Sequence, residues 1–188
     1  YKASFSTLFQ EWQTSEEATQ VRKSFENTFQ LPFPRRDAKV EVTLFNTHRE
    51  PIYKFEHQVK VDDILIRPLP TLPQHPYKYI HHGGESNKCI DVAIVAEGYT
   101  AAESNVFYAD AERATQEILK YKPFSDFKDR FNFVAVAVPS LESGVSIPHN
   151  NDWKQTALHS NFDTFYSKRY LTTLKLKALN DALAGVPY

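Results

Sequence analysis

The sequence predicts an α+β chain of two domains: an N-terminal antiparallel β-sandwich, then the front part of an α/β domain built on a βαβ unit. Three observations predict it. Lys39–Phe45 and Ile52–Val61 alternate apolar and polar residues with period two, as half-buried strands do, and no helix-period stripe precedes residue 66. Four prolines between Pro68 and Pro76 make an extended, semi-rigid boundary. Beyond it, the apolar runs Ile90–Ala96 and Phe131–Val138 flank one long amphipathic stretch, the pattern of strand, crossover helix and strand. The expected boundaries are 1–67 for the sandwich, 68–87 for a linker and loop, and 88–188 for the α/β part.

The chain has 188 residues and a net charge of −1. With no basic excess to neutralise phosphates, nucleic-acid binding is not expected. No apolar run approaches the roughly 20 residues of a membrane-spanning helix, and no signal-peptide pattern opens the chain at Tyr1-Lys2-Ala3-Ser4. The single cysteine, Cys89, excludes an internal disulfide and reads as a small buried strand residue rather than a reactive thiol. The sequence contains no Met, so a processed chain or an excised segment is expected. Its 14 Phe and 10 Tyr suffice to fill a substantial core.

Taken in order, Tyr1–Phe9 reads as a strand running into a turn. Residues 10–23, charged and without a continuous apolar stripe, read as a surface loop or short helix. Pro32 and Pro34 argue against a central strand around Phe25, Phe29 and Phe33. The two alternating stretches pair as a hairpin across Asn46–Pro51, Ile64–Ile66 reads as another short strand, Tyr77–Ile80 as a brief one, and His81–Asn87 as a loop.

The stretch from Cys89 to Thr100 organises the rest. Its strand is broken only by Asp91, Glu97-Gly98 turns the chain, and Thr100 and Glu103 form a capping box. The helix from Ala101 to about Lys120 places Val106, Phe107, Ala111, Ala114, Ile118 and Tyr121 near one face, with Asp110 among them, and Pro123 ends it. Phe124, Phe127 and Phe131 suit one more helical turn. The strand Phe131–Val138 is apolar apart from Asn132. Both strands end at one rim, with Glu97, Gly98 and Tyr99 after the first and Pro139-Ser140 after the second, and ligands of open α/β sheets bind beyond that rim. Leu141–Lys168 is long and irregular, and Phe162, Phe165 and Tyr166 favour a packed loop. A final helix, capped by Thr172 or Thr173, carries Leu174, Leu176, Ala178, Leu179, Ala182 and Leu183 and ends at Gly185. Two parallel apolar strands do not cover themselves, so the sequence predicts the front part of a larger domain with apolar edge and face exposed.

No H-E-x-x-H, H-x-x-E-H, C-x-x-C, G-x-S-x-G, phosphate loop or dinucleotide glycine pattern occurs, so these residues do not make a complete catalytic site. His81, His82 and Glu85 fit no standard zinc spacing and read as a solvated loop. His149, Asp152, His159 and Asp163 share the rim loop, with nothing in their spacing to say which of them meet. Ser140, Ser143 and Ser146 have no evident partner base, which argues against a serine nucleophile. The candidate substrate-cleft residues are Glu97, Tyr99, Ser140, Ser143, Gly144 and Trp153. The plainer reading of Glu97 is an acceptor for turn amides, and that of Trp153 a packed aromatic.

Several stretches together resemble the IgA-peptidase family of zinc metalloendopeptidases. They are Ile90–Thr100, Phe131–Ser140, the Ser143-Gly144-Val145-Ser146 step and Phe162–Leu171, with Phe5–Trp12, Phe25–Phe29 and Asp62–Ile66 similar to that family's N-terminal β-rich domain without its first strands. The resemblance implies a zincin-like peptidase domain in which two His on one helix bind zinc and a Glu acts as general base. That motif is expected after the next strand, beyond Tyr188. No catalytic residue and no metal ligand is therefore assigned to this chain, zinc is expected only in the intact protein, and the segment alone is expected to be inactive. The carry-over is the scaffold and a rim loop, Ser140–Asp163, that shapes part of the substrate cleft. The implied partners are a protein or peptide substrate and the rest of the catalytic domain, and the implied location is secreted, periplasmic or cell-surface. Two rival classes are a non-catalytic glycan- or protein-binding module on an α/β support, and an α/β-hydrolase-like or nucleotide-binding enzyme using Glu97 and Ser140.

Overall fold

The computed structural model describes residues 9–25, 31, 34–46, 48–64, 66 and 68–187. It is mixed α+β, and its residues divide into two compact units, one within Gln30–Pro68 and the other within Ser4–Phe29 and Leu69–Tyr188. The strand expected over 1–9 lies outside the described residues except for Phe9, which opens helix α1 (Phe9–Trp12).

The first unit carries the expected hairpin. Strand β1 (Ala38–Phe45) pairs antiparallel with β2 (Pro51–Val59), from Ala38 opposite Val59 to Leu44 opposite Tyr53. Alternation puts Val40, Val42, Leu44, Tyr53 and Phe55 on one face. The other face carries the ion pairs Lys39–Glu56 at 3.0 Å and Lys54–Glu41 at 2.8 Å. The described residues show one two-stranded sheet here, not the two facing sheets of a sandwich. Ile64, expected in a strand, sits in a turn closed by Asp63 N–H to Lys60 O and Ile66 N–H to Asp63 O.

In the second unit, a three-stranded sheet runs β3 (Tyr77–His82), β5 (Phe131–Val136), β4 (Ile90–Val95), with β5 central. β4 and β5 are parallel, as the sequence predicts, and α2 (Ser104–Ile118) connects them. β3 is antiparallel to β5 and extends to His82, so His81 and His82 belong to a strand opposite Phe133 and Asn132, not to a solvated loop.

The two polar interruptions of β4 and β5 explain each other. Asp91 and Asn132 are register partners, and the Asn132 side-chain amide donates to Asp91 Oδ1 at 2.7 Å and to Gly84 O at 3.0 Å. Its oxygen accepts the amides of Gly83 at 2.9 Å and Gly84 at 3.2 Å, so a buried side chain makes four hydrogen bonds.

Alternation along β5 divides the core in two. Ala135 and Ala137 meet Ala96, just past β4, and Phe107 and Ala111 from α2, while Val134, Val136 and Val138 meet Ala182 and Val186. Ala182 lies on helix α3 (Leu176–Leu183) and Val186 just past its end. The expectation of an open apolar face fails for the central strand, since α2 covers one side of β5 and the α3 region the other, while β4 and β3 stay part-exposed and Ile90 is 59% exposed. The buried stripe of α2 is also rotated from the expected one. Phe107, Ala111 and Thr115 face inward at i, i+4 and i+8, whereas Val106 and Tyr121 are exposed. The predicted C-cap glycine holds, with Gly185 at φ +75°, where an added Cβ would lie 2.4 Å from the Leu72 carbonyl carbon. Thr173 does not cap α3 as expected: its hydroxyl accepts the Lys175 amide at 2.9 Å and donates to Leu158 O at 2.5 Å, tying the helix entry to the rim loop.

Replacing Asn132 by Leu removes a partner from the half-buried Asp91 carboxylate and Gly84 amide, while Gly83 N–H keeps Phe131 O at 3.0 Å, so the variant is expected to lose roughly 1–3 kcal/mol in a denaturant titration. An unchanged unfolding midpoint would contradict the role given to this side chain.

Candidate functional site

The rim is built where β4 and β5 end. One residue after Ala96, the Glu97 carboxylate accepts the Thr156 hydroxyl at 2.6 Å, the Leu158 amide at 2.8 Å and the Ser160 amide at 2.8 Å. Glu97 is thus the acceptor for loop donors that its plainer reading describes. Ser140 does similar work from the other strand: its buried hydroxyl oxygen accepts the amides of Gly98 and Ala157, each at 3.0 Å. A hydroxyl engaged by two amides, with no base beside it among the described contacts, is arranged as a structural bridge.

Close backbone contact completes the knot. Gly144 N–H donates to Gly98 O at 2.8 Å, and Ser140 N–H to Tyr99 O at 2.8 Å. Gly98 has φ +75°, and a Cβ there would lie 2.5 Å from Gly144 O, so only glycine fits. Ser143 donates to Glu103 Oε1 at 2.8 Å, while the Thr100 amide and hydroxyl reach Oε2 at 2.8 and 2.7 Å, closing the predicted capping box. The Thr100 amide, the Thr100 hydroxyl and Ser143 together hold the Glu103 carboxyl below its ordinary range. Tyr99 packs on Phe107 with ring centroids 5.4 Å apart and donates its hydroxyl to Asp110 Oδ2 at 2.8 Å. Burial, then this bond to Asp110, pushes the phenol up.

Of the six candidate residues, Glu97, Tyr99, Ser140, Ser143 and Gly144 are therefore committed to holding the rim together. Trp153 is the exception. It is 64% exposed on the loop, contrary to its plainer reading as a packed aromatic.

Among the four loop residues whose meeting the spacing left open, only His149 and Asp163 come together. The Asp163 carboxylate accepts the His149 amide at 2.7 Å and lies 2.8 and 2.9 Å from His149 Nδ1. Burial pushes the Asp163 carboxyl up, but the ring and amide of His149 outweigh it and hold the group below its ordinary value. The carboxylate thereby fixes the ring orientation of His149. Asp152 instead pairs with Lys154 at 3.3 Å, and His159 is exposed. Among the described residues no three His, Cys, Asp or Glu side chains are placed to hold a metal ion.

The loop is also strained. Asn151, His159, Asp163, Phe165 and Tyr166 all have positive φ, from 51° to 66°. For the bulky Phe165 and Tyr166 this costs roughly 1–3 kcal/mol each, and such strain persists only where surrounding structure imposes it.

The family model described as IgA Peptidase M64 matches residues 79–188, more than half of the chain and all of the sheet, α2, the rim loop and α3 except the first residues of β3. The chain belongs to the IgA peptidase M64 family. A model of the Peptidase M64 N-terminus matches residues 1–56, which include β1 and the start of β2. No curated protein matches the chain. The resemblance carried by Ile90–Thr100, Phe131–Ser140 and Phe162–Leu171 is thus a true membership of a peptidase family.

Ser140→Ala removes the shared acceptor of two amides, that of the buried Gly98 and that of the half-buried Ala157. It is expected to cost roughly 1–3 kcal/mol for each amide left without a partner, read as a lower melting temperature, and a fluorophosphonate is expected to leave wild-type Ser140 unlabelled. A fully stable Ser140→Ala protein, or stoichiometric labelling of Ser140, would contradict the structural assignment.

Proposed function

We propose that the chain is a portion of a zinc metalloendopeptidase that hydrolyses peptide bonds in a protein or peptide substrate. It supplies the scaffold and part of the cleft wall. The observation that carries this reading is the peptidase-family match over the same residues, 79–188, that build the sheet and its knotted rim. Ligands of such sheets bind beyond the strand ends, where Glu97 and Ser140 fasten the loop. A rim held by side-chain carboxylates and tight glycine contacts keeps its geometry when an extended substrate passes it. Trp153, exposed on that loop, offers an aromatic surface to a substrate side chain.

The residues present do not fit a zinc site. Among the described residues no three donors are placed to hold a metal ion: His149 is engaged by Asp163, and His81 Nε2 bonds the Lys128 carbonyl at 2.8 Å. On this reading the described residues supply no metal ligand, and this chain's part in the reaction is to bind and orient. An exported enzyme, secreted, periplasmic or at the cell surface, belongs to the same reading.

Titrating zinc into the 188-residue chain by calorimetry is expected to give no stoichiometric, submicromolar binding. Binding of that strength and stoichiometry would show that the metal site lies within the chain and would overturn this division of labour.

A further inference from the structure

Residues 10–23 read from sequence as a surface loop or short helix, yet Trp12 is 5% exposed. Trp12 and Phe25 meet edge to face with ring centroids 5.7 Å apart, Phe25 meets Phe165 at 6.0 Å, and Phe165 meets Tyr170 at 6.2 Å. Glu17 adds a polar tie. Its Oε2 accepts the Trp12 indole N–H at 2.8 Å and lies 3.2 Å from Lys23 Nζ, and its carboxylate, facing the Tyr166 hydroxyl, pushes that phenol up. The two residues gripped by this segment, Phe165 and Tyr166, are the bulky ones with φ of 51° and 66°. Asp163, φ 59°, is the neighbour that holds His149. The amide of Tyr166 bonds Asp163 O at 2.9 Å, and that of Thr164 bonds Tyr170 O at 3.2 Å, so the grip and the His149 bond share one short turn.

We propose that residues 12–25 are a strap that imposes the strained turn Asp163–Tyr170 on the rim loop and, through Asp163, fixes the orientation of His149. A bulky residue keeps a left-handed backbone only where contacts outside the turn over-determine it. The turn's own hydrogen bonds are local and His149 meets Asp163 from 14 residues away, whereas Phe25 and Glu17 reach Phe165 and Tyr166 from far along the chain, with Trp12 packed against Phe25 and bonded to Glu17. The part of the chain matched by the N-terminal family model thereby works as a positioning element of the peptidase part. This goes beyond the proposed function, because it concerns loop geometry in the chain itself and holds or fails whether or not the intact protein cleaves peptides.

Hydrogen exchange on the 188-residue chain tests it, together with the ¹⁵N signals of the His149 ring. In Phe25→Ala the amides of Thr164 and Tyr166 are expected to exchange about tenfold faster, and the His149 ring signals to move toward those of free imidazole, while β5 amides keep their protection. Should Phe25→Ala unfold the whole chain, the double variant Glu17→Gln, Tyr166→Phe decides, since it removes only the polar tie; faster exchange confined to the turn is again expected. Unchanged Thr164 and Tyr166 exchange in a folded Phe25→Ala protein, or in the folded double variant, overturns the proposal. So does a faster turn that leaves the His149 ring signals unmoved.

Discussion

Glu97 stands where the first parallel strand stops, and its two carboxylate oxygens take three donors from a segment 59 to 63 residues further along the chain. Hydrogen bonds to a charged acceptor are each worth about 1.5–3 kcal/mol, roughly twice a neutral one. That is enough to fix a loop whose own backbone offers few regular bonds. Once Thr156, Leu158 and Ser160 are held there, Ala157 falls within reach of the Ser140 hydroxyl and Leu158 O within reach of Thr173. The rim loop, the end of β5 and the entry to α3 are thus tied to one carboxylate. α3 can then lie against Val134 and Val136, which closes the second face of β5.

The strands and the first long helix were legible because their cause is local. Apolar runs mark β4 and β5, period-two alternation marks β1 and β2, and a Thr-x-x-Glu box opens the helix that leads into α2. The reading of Glu97 as an acceptor for turn amides was legible too, since a carboxylate at a strand end has few other partners, but not that its donors lie 59 to 63 residues further on. What escaped has non-local causes. Asp91 and Asn132 are visible as polar interruptions, but only the parallel register shows that they bond each other. The pairing of β3 with β5, the covering of Val134 by Ala182, and the choice of Thr115 over Ile118 for the buried face of α2 each depend on which surface arrives opposite. His149 and Asp163 lie 14 residues apart without a helical or strand period to connect them, and left-handed residues bring them together.

Membership of the M64 peptidase family gives this architecture its context. The residues that look reactive in sequence, Ser140 above all, are spent on holding the rim, and the exposed Trp153 is the candidate with no part in that knot among the described contacts. Chemistry and architecture are divided in the proposed reading: this chain builds a stiff edge, and the bond-breaking groups are brought to it. The strap from Trp12 to Phe25 extends that division, because a segment from the N-terminal match shapes the same edge.

The claim beneath all of this is that one carboxylate fastens the rim. Amide exchange at Leu158 and Ser160 in Glu97→Ala tests it most directly. Those two amides are expected to lose protection at least tenfold while the amides shared by β4 and β5 keep theirs, because the sheet does not depend on the knot for its own ladder. Leu158 and Ser160 protected as strongly as before would contradict it.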